Sequence, residues 1–330
     1  MDGEEKKFQF LGFFGILKEA YNIITSHRKI FSQITLSVIL PLSLIYFVQK
    51  EISFGKIIPD KNVPDDAQMG SQKYSNTSDM LFLWLFRIAF FIFSIILFLF
   101  STSAVVYTVA CIYTEKEITY KKVMKVVPKV WKRLMITFLW NFGITFGIIM
   151  GASLLIIIVI TVLLVSGTLG QSATAGIPVA IIVLLIIPLL GIAYLSLVWQ
   201  LANVISVLED VYGIQALRNS KNLIKGNTGV CVAFFLTYNV CYLGIDQGFK
   251  ASAVGVDSVW GKILLVCLWS MIMSMLSLFG LVIQTIIYFI CKSYHNENID
   301  KSSLSNHLEV YSNRYVPLDT KEVHMQDSMV

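Results

Sequence analysis

Few residues in this chain combine a reactive side chain with a spacing that chemistry could use. Arg87 is the one charge placed clearly inside an apolar block. Ionisable residues within a membrane span are functional candidates by default, and a long side chain near a span end can instead snorkel to the interface. Arg87 therefore reads either as a snorkelling or structurally paired arginine, with Asp246 and Asp257 on the same side as partners, or as a contact for a substrate or ion. Glu209 and Asp210 are adjacent carboxylates at the end of another apolar block. They could hold a cation, but successive helix residues do not share a face. Capping of the following helix, with pairing to Arg218 or Lys221, explains them more simply.

No metalloprotease HExxH, P-loop or G-x-S-x-G pattern occurs, and His27, His295, His307 and His324 lack ligand spacing. No catalytic residue, metal ligand or cofactor is assigned, and the chain is expected not to be an enzyme. Cys111, Cys231, Cys241, Cys267 and Cys291 form no C-x-x-C pair. Cys111, Cys231 and Cys291 fall at span ends, where cysteine is either an acylation site or a small apolar filler.

The elements that must position these groups follow from composition. Of 330 residues, 56% are hydrophobic and 14% charged, against about 45–50% and about 25% in soluble domains. A soluble enzyme and a nucleic-acid-binding domain are both excluded as the whole answer. The apolar residues fall in six blocks, near 30–48, 81–112, 134–165, 177–207, 229–249 and 260–291. The predicted fold class is all-α: a polytopic membrane protein with six transmembrane helices. Residues 1–29 form an N-terminal tail, 30–291 the membrane domain and 292–330 a polar C-terminal tail. The block that starts at Ile30 is expected to act as an uncleaved signal anchor.

Most of the 26 lysines and arginines lie in the N-terminal tail, the second and fourth loops and the C-terminal tail, while loop three has none. Basic residues favour the cytosolic side, so both termini are predicted cytosolic, in a secretory-pathway membrane. Asn76-Thr77-Ser78 is a glycosylation sequon in the first, non-cytosolic loop. Tyr315-Val316-Pro317-Leu318 is similar to tyrosine-based sorting signals, which makes trafficking adaptors candidate partners at Tyr315 and Leu318.

Each odd-numbered span follows an amphipathic stretch, at 8–29, 117–133 and 210–225, which predicts three units with a period of roughly 100 residues, each an interfacial helix and a hairpin of two spans. In the second stretch Lys121, Lys122, Lys125, Lys129, Lys132 and Arg133 form a basic face, the predicted contact with anionic lipid. Tyr120, Val123, Met124, Val127, Val130 and Trp131 oppose it, and Pro128 should kink or split the helix. In the third, Asp210 is the expected N-cap and Gly226 the expected C′ residue.

Gly143, Gly147 and Gly151 form a G-x-x-x-G-x-x-x-G stripe, the strongest helix-packing signal. The partner is by default a helix of the same chain, and a second copy is the other option. Pro41, Pro178 and Pro188 interrupt spans one and four, and Asn141, Gln200, Asn203, Asn239 and Gln284 could line a polar path.

Within Leu208–Gly226, residues Glu209, Gly213, Ala216, Ser220, Leu223 and Gly226 keep a spacing that resembles the glycerophosphodiester phosphodiesterase membrane-domain type family. Lys221 stands where that pattern often has an aromatic residue. The segments Phe10–Ala20 and Arg28–Leu36 make the chain similar to a plant family of uncharacterised six-span proteins. Neither resemblance brings a catalytic residue. Together these features point to a membrane-organising or accessory protein whose basic helices engage anionic lipid, with a small-solute transporter or channel using the proline-broken spans and Arg87 as the alternative.

Overall fold

The computed structural model describes residues 12–54, 77–116, 118–165, 176–256 and 258–294. Among them the regular structure is entirely helical: α1 (Phe13–Ser26), α2 (Arg28–Ile34), a π turn (Thr35–Ile39), α3 (Leu40–Phe54), α4 (Thr77–Tyr113), α5 (Tyr120–Val165), α6 (Gly176–Leu208), α7 (Ile214–Ile224), α8 (Thr228–Ala253) and α9 (Val259–Tyr294). Six helical stretches are long and apolar enough to cross a bilayer: Arg28–Glu51, Trp84–Tyr113, Tyr120–Val162, Leu184–Leu208, Thr228–Ala253 and Val259–Tyr294. The chain is a multi-span membrane protein.

The prolines do not break these spans. Leu40 N–H reaches back to Thr35 O, a five-residue step that closes the π turn just before Pro41. The wider turn accommodates a residue that has no N–H and a ring that crowds the preceding turn. Pro128 and Pro188 sit inside uninterrupted α5 and α6, and Pro178 lies in the first turn of α6, where a missing N–H costs little. The stretch at 120–133 is therefore not split at Pro128. It is the first third of a 46-residue helix, about 69 Å long at 1.5 Å per residue, more than twice the thickness of a hydrocarbon core of about 30 Å.

Packing is concentrated at one end of the bundle, here called the basic end. A single buried cluster joins Ile16 and Ala20 of α1, Phe31 and Ile34 of α2, Val105 and Val109 of α4, Val126 and Val130 of α5, Leu201 and Ile205 of α6, Leu223 of α7 and Val282 and Ile286 of α9. Helix α9 is the hub: α1, the π turn, α3, α4, α6, α7 and α8 all pack on it. A smaller cluster of Phe47, Phe249, Val266 and Met273 joins α3, α8 and α9 at the opposite end. Elsewhere large apolar side chains face outward, among them Trp84, Ile92, Phe146, Leu154, Ile187 and Leu190. An apolar outer surface of this extent suits lipid and would be an association surface in water.

The glycine stripe is not a seam within this chain. A Cβ built on Gly143, Gly147 or Gly151 meets nothing within 4 Å, so the default of an intramolecular partner is corrected: the stripe lies on the outer surface of α5. Close approach occurs instead at isolated glycines opposite aromatic rings. A Cβ on Gly280 of α9 would lie 2.6 Å from Tyr238 Cε2 of α8. Gly147→Ala should leave thermal stability in detergent unchanged or raise it slightly, whereas Gly280→Ala should lower it by about 1–3 kcal/mol, the usual penalty for overpacking. Equal effects at the two glycines would contradict this packing.

Candidate functional site

Four constellations stand out: a basic rim, two carboxylate clusters and a cavity inside the bundle.

The rim lies on α1, α5 and α7. All three helices bury part of their apolar side in protein, and α1 leaves Phe14 and Tyr21 exposed. Ile16 and Ala20 are fully enclosed, as are Val123, Val126, Val127 and Val130, and so are Ala216 and Ser220. The opposite faces stay open: Lys121, Lys122, Lys125 and Lys132 are exposed, as are Lys18, Arg218 and Lys221. Lys129 is half-buried. Arg133 is also half-buried, and its guanidinium pairs with the Asp210 carboxylate. The stripe of lysines thus exists as expected, but its apolar partner face is spent on the protein core and does not remain to be inserted into lipid.

The six residues that carry the family-like spacing each have a packing task. Gly213 has φ +69 and is the N-cap of α7, a backbone state that favours glycine. Its N–H donates to Thr137 Oγ1 (2.8 Å), and Thr137 Oγ1 lies 2.7 Å from Ser206 Oγ, tying α5, α6 and the α6–α7 turn together. Asp210 is therefore not the N-cap. Ser220 Oγ donates to Val198 O at 2.6 Å, docking α7 on α6. Ala216 and Leu223 fill the same interface, and Gly226 has φ +111 in the C′ position that follows the Lys225 cap. Glu209 accepts from Tyr288 Oη (2.6 Å) and Lys292 Nζ (2.7 Å), joining the end of α6 to α9. Glu209 takes its partners from α9, and Asp210 pairs with Arg133 of α5, a partner remote from the Arg218 and Lys221 that the sequence favours. The two carboxylates take separate cations, so they do not act as one cation site.

The second carboxylate cluster lies toward the opposite end. Asp246 of α8 is 6% exposed. It receives Tyr46 Oη at 2.7 Å, Lys50 Nζ at 3.0 Å and Lys250 Nζ at 2.7 Å. Lys262 and Glu51 pair nearby at 3.3 Å. Asp246 is thus a buried, fully partnered carboxylate, which the sequence reading did not anticipate. The signal was present: Lys250 stands four residues on in the same helix, the spacing that brings opposite charges together. Arg87 does not join it. Its side chain is exposed on the outer face of α4, so the expected pairing with Asp246 is corrected, and Asp257 lies outside the described residues, as do Asn76, Tyr315 and Leu318.

Between these clusters lies a cavity of about 600 Å³, walled by α3, α4, α6, α8 and α9 and bounded by Leu17 of α1. Of the expected polar path, Gln200, Asn203 and Gln284 line it, while Asn141 and Asn239 do not. Gln284 Nε2 donates to the Gln200 carbonyl across the α6–α9 interface, and Asn239 is satisfied by Phe235 O. Cys111, Cys231 and Cys291 are buried, which supports the filler role over acylation; Cys231 and Cys291 sulfurs lie 4.0 Å apart. No group of three or more histidines, cysteines and carboxylates that could hold a metal occurs among the described residues.

Asp246→Asn should lower stability in detergent by about 2 kcal/mol, because it leaves two ammonium groups without their counter-charge at a mostly buried site. A Lys50→Gln and Asp246→Asn double variant should lose less than the sum of the singles, since the first change removes part of what the second leaves unpaired. Additive losses would show that the cluster is not coupled.

No curated protein and no solved structure matches the chain. The model of a family described as a domain of unknown function, DUF8558, matches residues 1–328. That match spans nearly the whole sequence, basic rim, carboxylate clusters and cavity included, so this six-span chain belongs to the DUF8558 family.

Proposed function

We propose that the protein is a membrane-organising or accessory protein without catalytic activity, whose basic rim engages the anionic headgroups of one leaflet. The observation that carries this reading is the placement of Lys121, Lys122, Lys125 and Lys132: all are exposed on the side of α5 opposite a fully buried apolar face. A rim held rigidly by the protein core presents its charges at a fixed height, and each near-surface lysine contributes about 1 kcal/mol with anionic lipid. The rim is the cytosolic side in this reading, because basic segments stay cytosolic. Both termini then face the cytosol, from a membrane of the secretory pathway, with trafficking adaptors as partners of the Tyr315–Leu318 tail. The three units are read as a repeated plan of a short amphipathic segment followed by two spans, the second segment having fused with its span. Nucleic acid is not a partner in this reading, and a second copy of the chain remains the candidate neighbour for the glycine stripe.

The lipid retained by the full-length protein tests this. After extraction from bilayers of mixed phosphatidylserine and phosphatidylcholine, the wild-type chain should retain the anionic lipid preferentially. The triple variant Lys121→Glu, Lys122→Glu, Lys125→Glu should lose that preference while keeping its melting temperature. Unchanged preference in the folded variant rejects the reading.

A second reading, transport of a small solute, is favoured by one observation, the cavity between α3, α4, α6, α8 and α9. It does not run through Arg87, which stands on the outer surface. In proteoliposomes such flux should disappear in Gln284→Leu and persist in Arg87→Ala; flux lost through Arg87 alone would contradict the cavity as its path.

A further inference from the structure

The cavity's wall carries a consistent chemical signature. None of its lining side chains is an aspartate, glutamate, lysine, arginine or histidine. Asp246 stands outside it and touches the lining only through the Tyr46 hydroxyl. A wall without a cation does not fit a phosphate or carboxylate headgroup, and one without an anion does not fit an ammonium.

Four of the hydroxyls on the wall are left as acceptors only. Ser43 Oγ donates to Ile39 O, Ser94 Oγ to Phe90 O, Ser101 Oγ to Phe98 O and Thr237 Oγ1 to Ala233 O. Each hydroxyl has one proton and has given it to its own helix, so only lone pairs remain for a guest. Two further groups on the wall are unpartnered. Asn203, 2% exposed, has no hydrogen-bond partner at Oδ1, and Trp199 has none at Nε1. The two residues are four apart on α6 and so share a face of that helix. They carry one unpartnered acceptor and one unpartnered donor on a wall of the cavity. Both atoms are covered by neighbouring side chains, so a guest hydroxyl reaches them only if the Asn203 carboxamide or the Trp199 ring rotates toward the lumen. The rest of the wall is aromatic and aliphatic, with Phe91, Phe98 and Phe279 on it.

We propose that this cavity binds one neutral lipid carrying a hydroxyl head, of the sterol or diacylglycerol kind, with the hydroxyl lodged between Asn203 and Trp199 and the apolar body against the aromatic wall. The volume of about 600 Å³ falls within the roughly 300–1,000 Å³ of pockets that enclose small molecules. An unpartnered buried polar atom is destabilising because it has given up water for nothing, and the hydroxyl would relieve two of them. The site does not depend on the basic rim, whose charges lie on the outside of α5.

The test uses the full-length chain in phosphatidylcholine nanodiscs with photoactivatable diazirine analogues of cholesterol and of a diacylglycerol, and cross-linked peptides mapped by mass spectrometry. The expected result is saturable labelling by at least one of them within Tyr238–Tyr242 or Met273–Gln284. The unlabelled alcohol should compete and its methyl ether should compete at least fivefold more weakly. Asn203→Leu, similar in volume, should reduce labelling at least fivefold. The methyl ether comparison is made on the unaltered protein, so the proposal stays testable if Asn203→Leu fails to fold. Labelling that is confined to outward-facing segments such as Phe146–Ile157 of α5, that does not saturate, that the methyl ether blocks as well as the alcohol, or that phosphatidic acid blocks equally would overturn the proposal.

Discussion

A helix that is apolar on every face is stable only where something apolar surrounds it completely. Between Val282 and Cys291 almost every side chain of α9 is buried, and the surrounding material is protein, not lipid. The remaining architecture follows from that requirement. Helices α1, α4, α6, α7 and α8 enclose this segment at the basic end. The carboxylate of Glu209, held by Tyr288 and Lys292, fixes where α6 meets it. The cavity adjoins this enclosure, since Leu201, Cys231, Ile283 and Ile287 belong both to the buried cluster and to its wall.

This geometry explains the fate of the amphipathic segments. A helix with one apolar side can satisfy it with a bilayer surface or with neighbouring helices. Here neighbouring helices offer that surface: α1 packs on α9, the start of α5 on the helices beside it, and α7 chiefly on α6. Their charged sides are therefore turned outward by packing rather than by the membrane. The same competition decides the glycine stripe: Gly143, Gly147 and Gly151 leave a smooth outer strip on α5, while the tight helix contact forms at Gly280, a single glycine that admits the ring of Tyr238.

The overall plan was legible in the sequence because it rests on long-range averages. Six apolar blocks, their approximate limits and the all-helical class follow from hydropathy over some twenty residues. Gly226 was also legible, since a glycine after the last helical turn is a local signal with a local cause. The partners of Glu209, Asp210 and Asp246 were not. Tyr288, Lys292, Arg133 and Tyr46 are remote in sequence, and only helix packing selects them over nearer charges such as Arg218 and Lys221. The prolines were misjudged for a related reason: their effect depends on whether the preceding turn can widen, as Thr35–Ile39 does. The cavity was legible only in fragments, as Gln200, Asn203 and Gln284, because a hollow is a property of five helices together.

The position of the hub in the chain has a consequence for biosynthesis. Helix α9 is the last of the described helices to leave the ribosome, yet it supplies the surface on which nearly all the earlier ones pack. Until it arrives, Glu209 lacks both of its partners, the Gln200 carbonyl lacks Gln284, and the apolar side of α1 lacks the helix on which it packs most. Pairing of α4, α5, α6 and α7 can precede it, but closure of the bundle waits for α9, and until then the half-made protein displays polar and apolar surfaces of the kind by which membrane chaperones distinguish unfinished chains from finished ones.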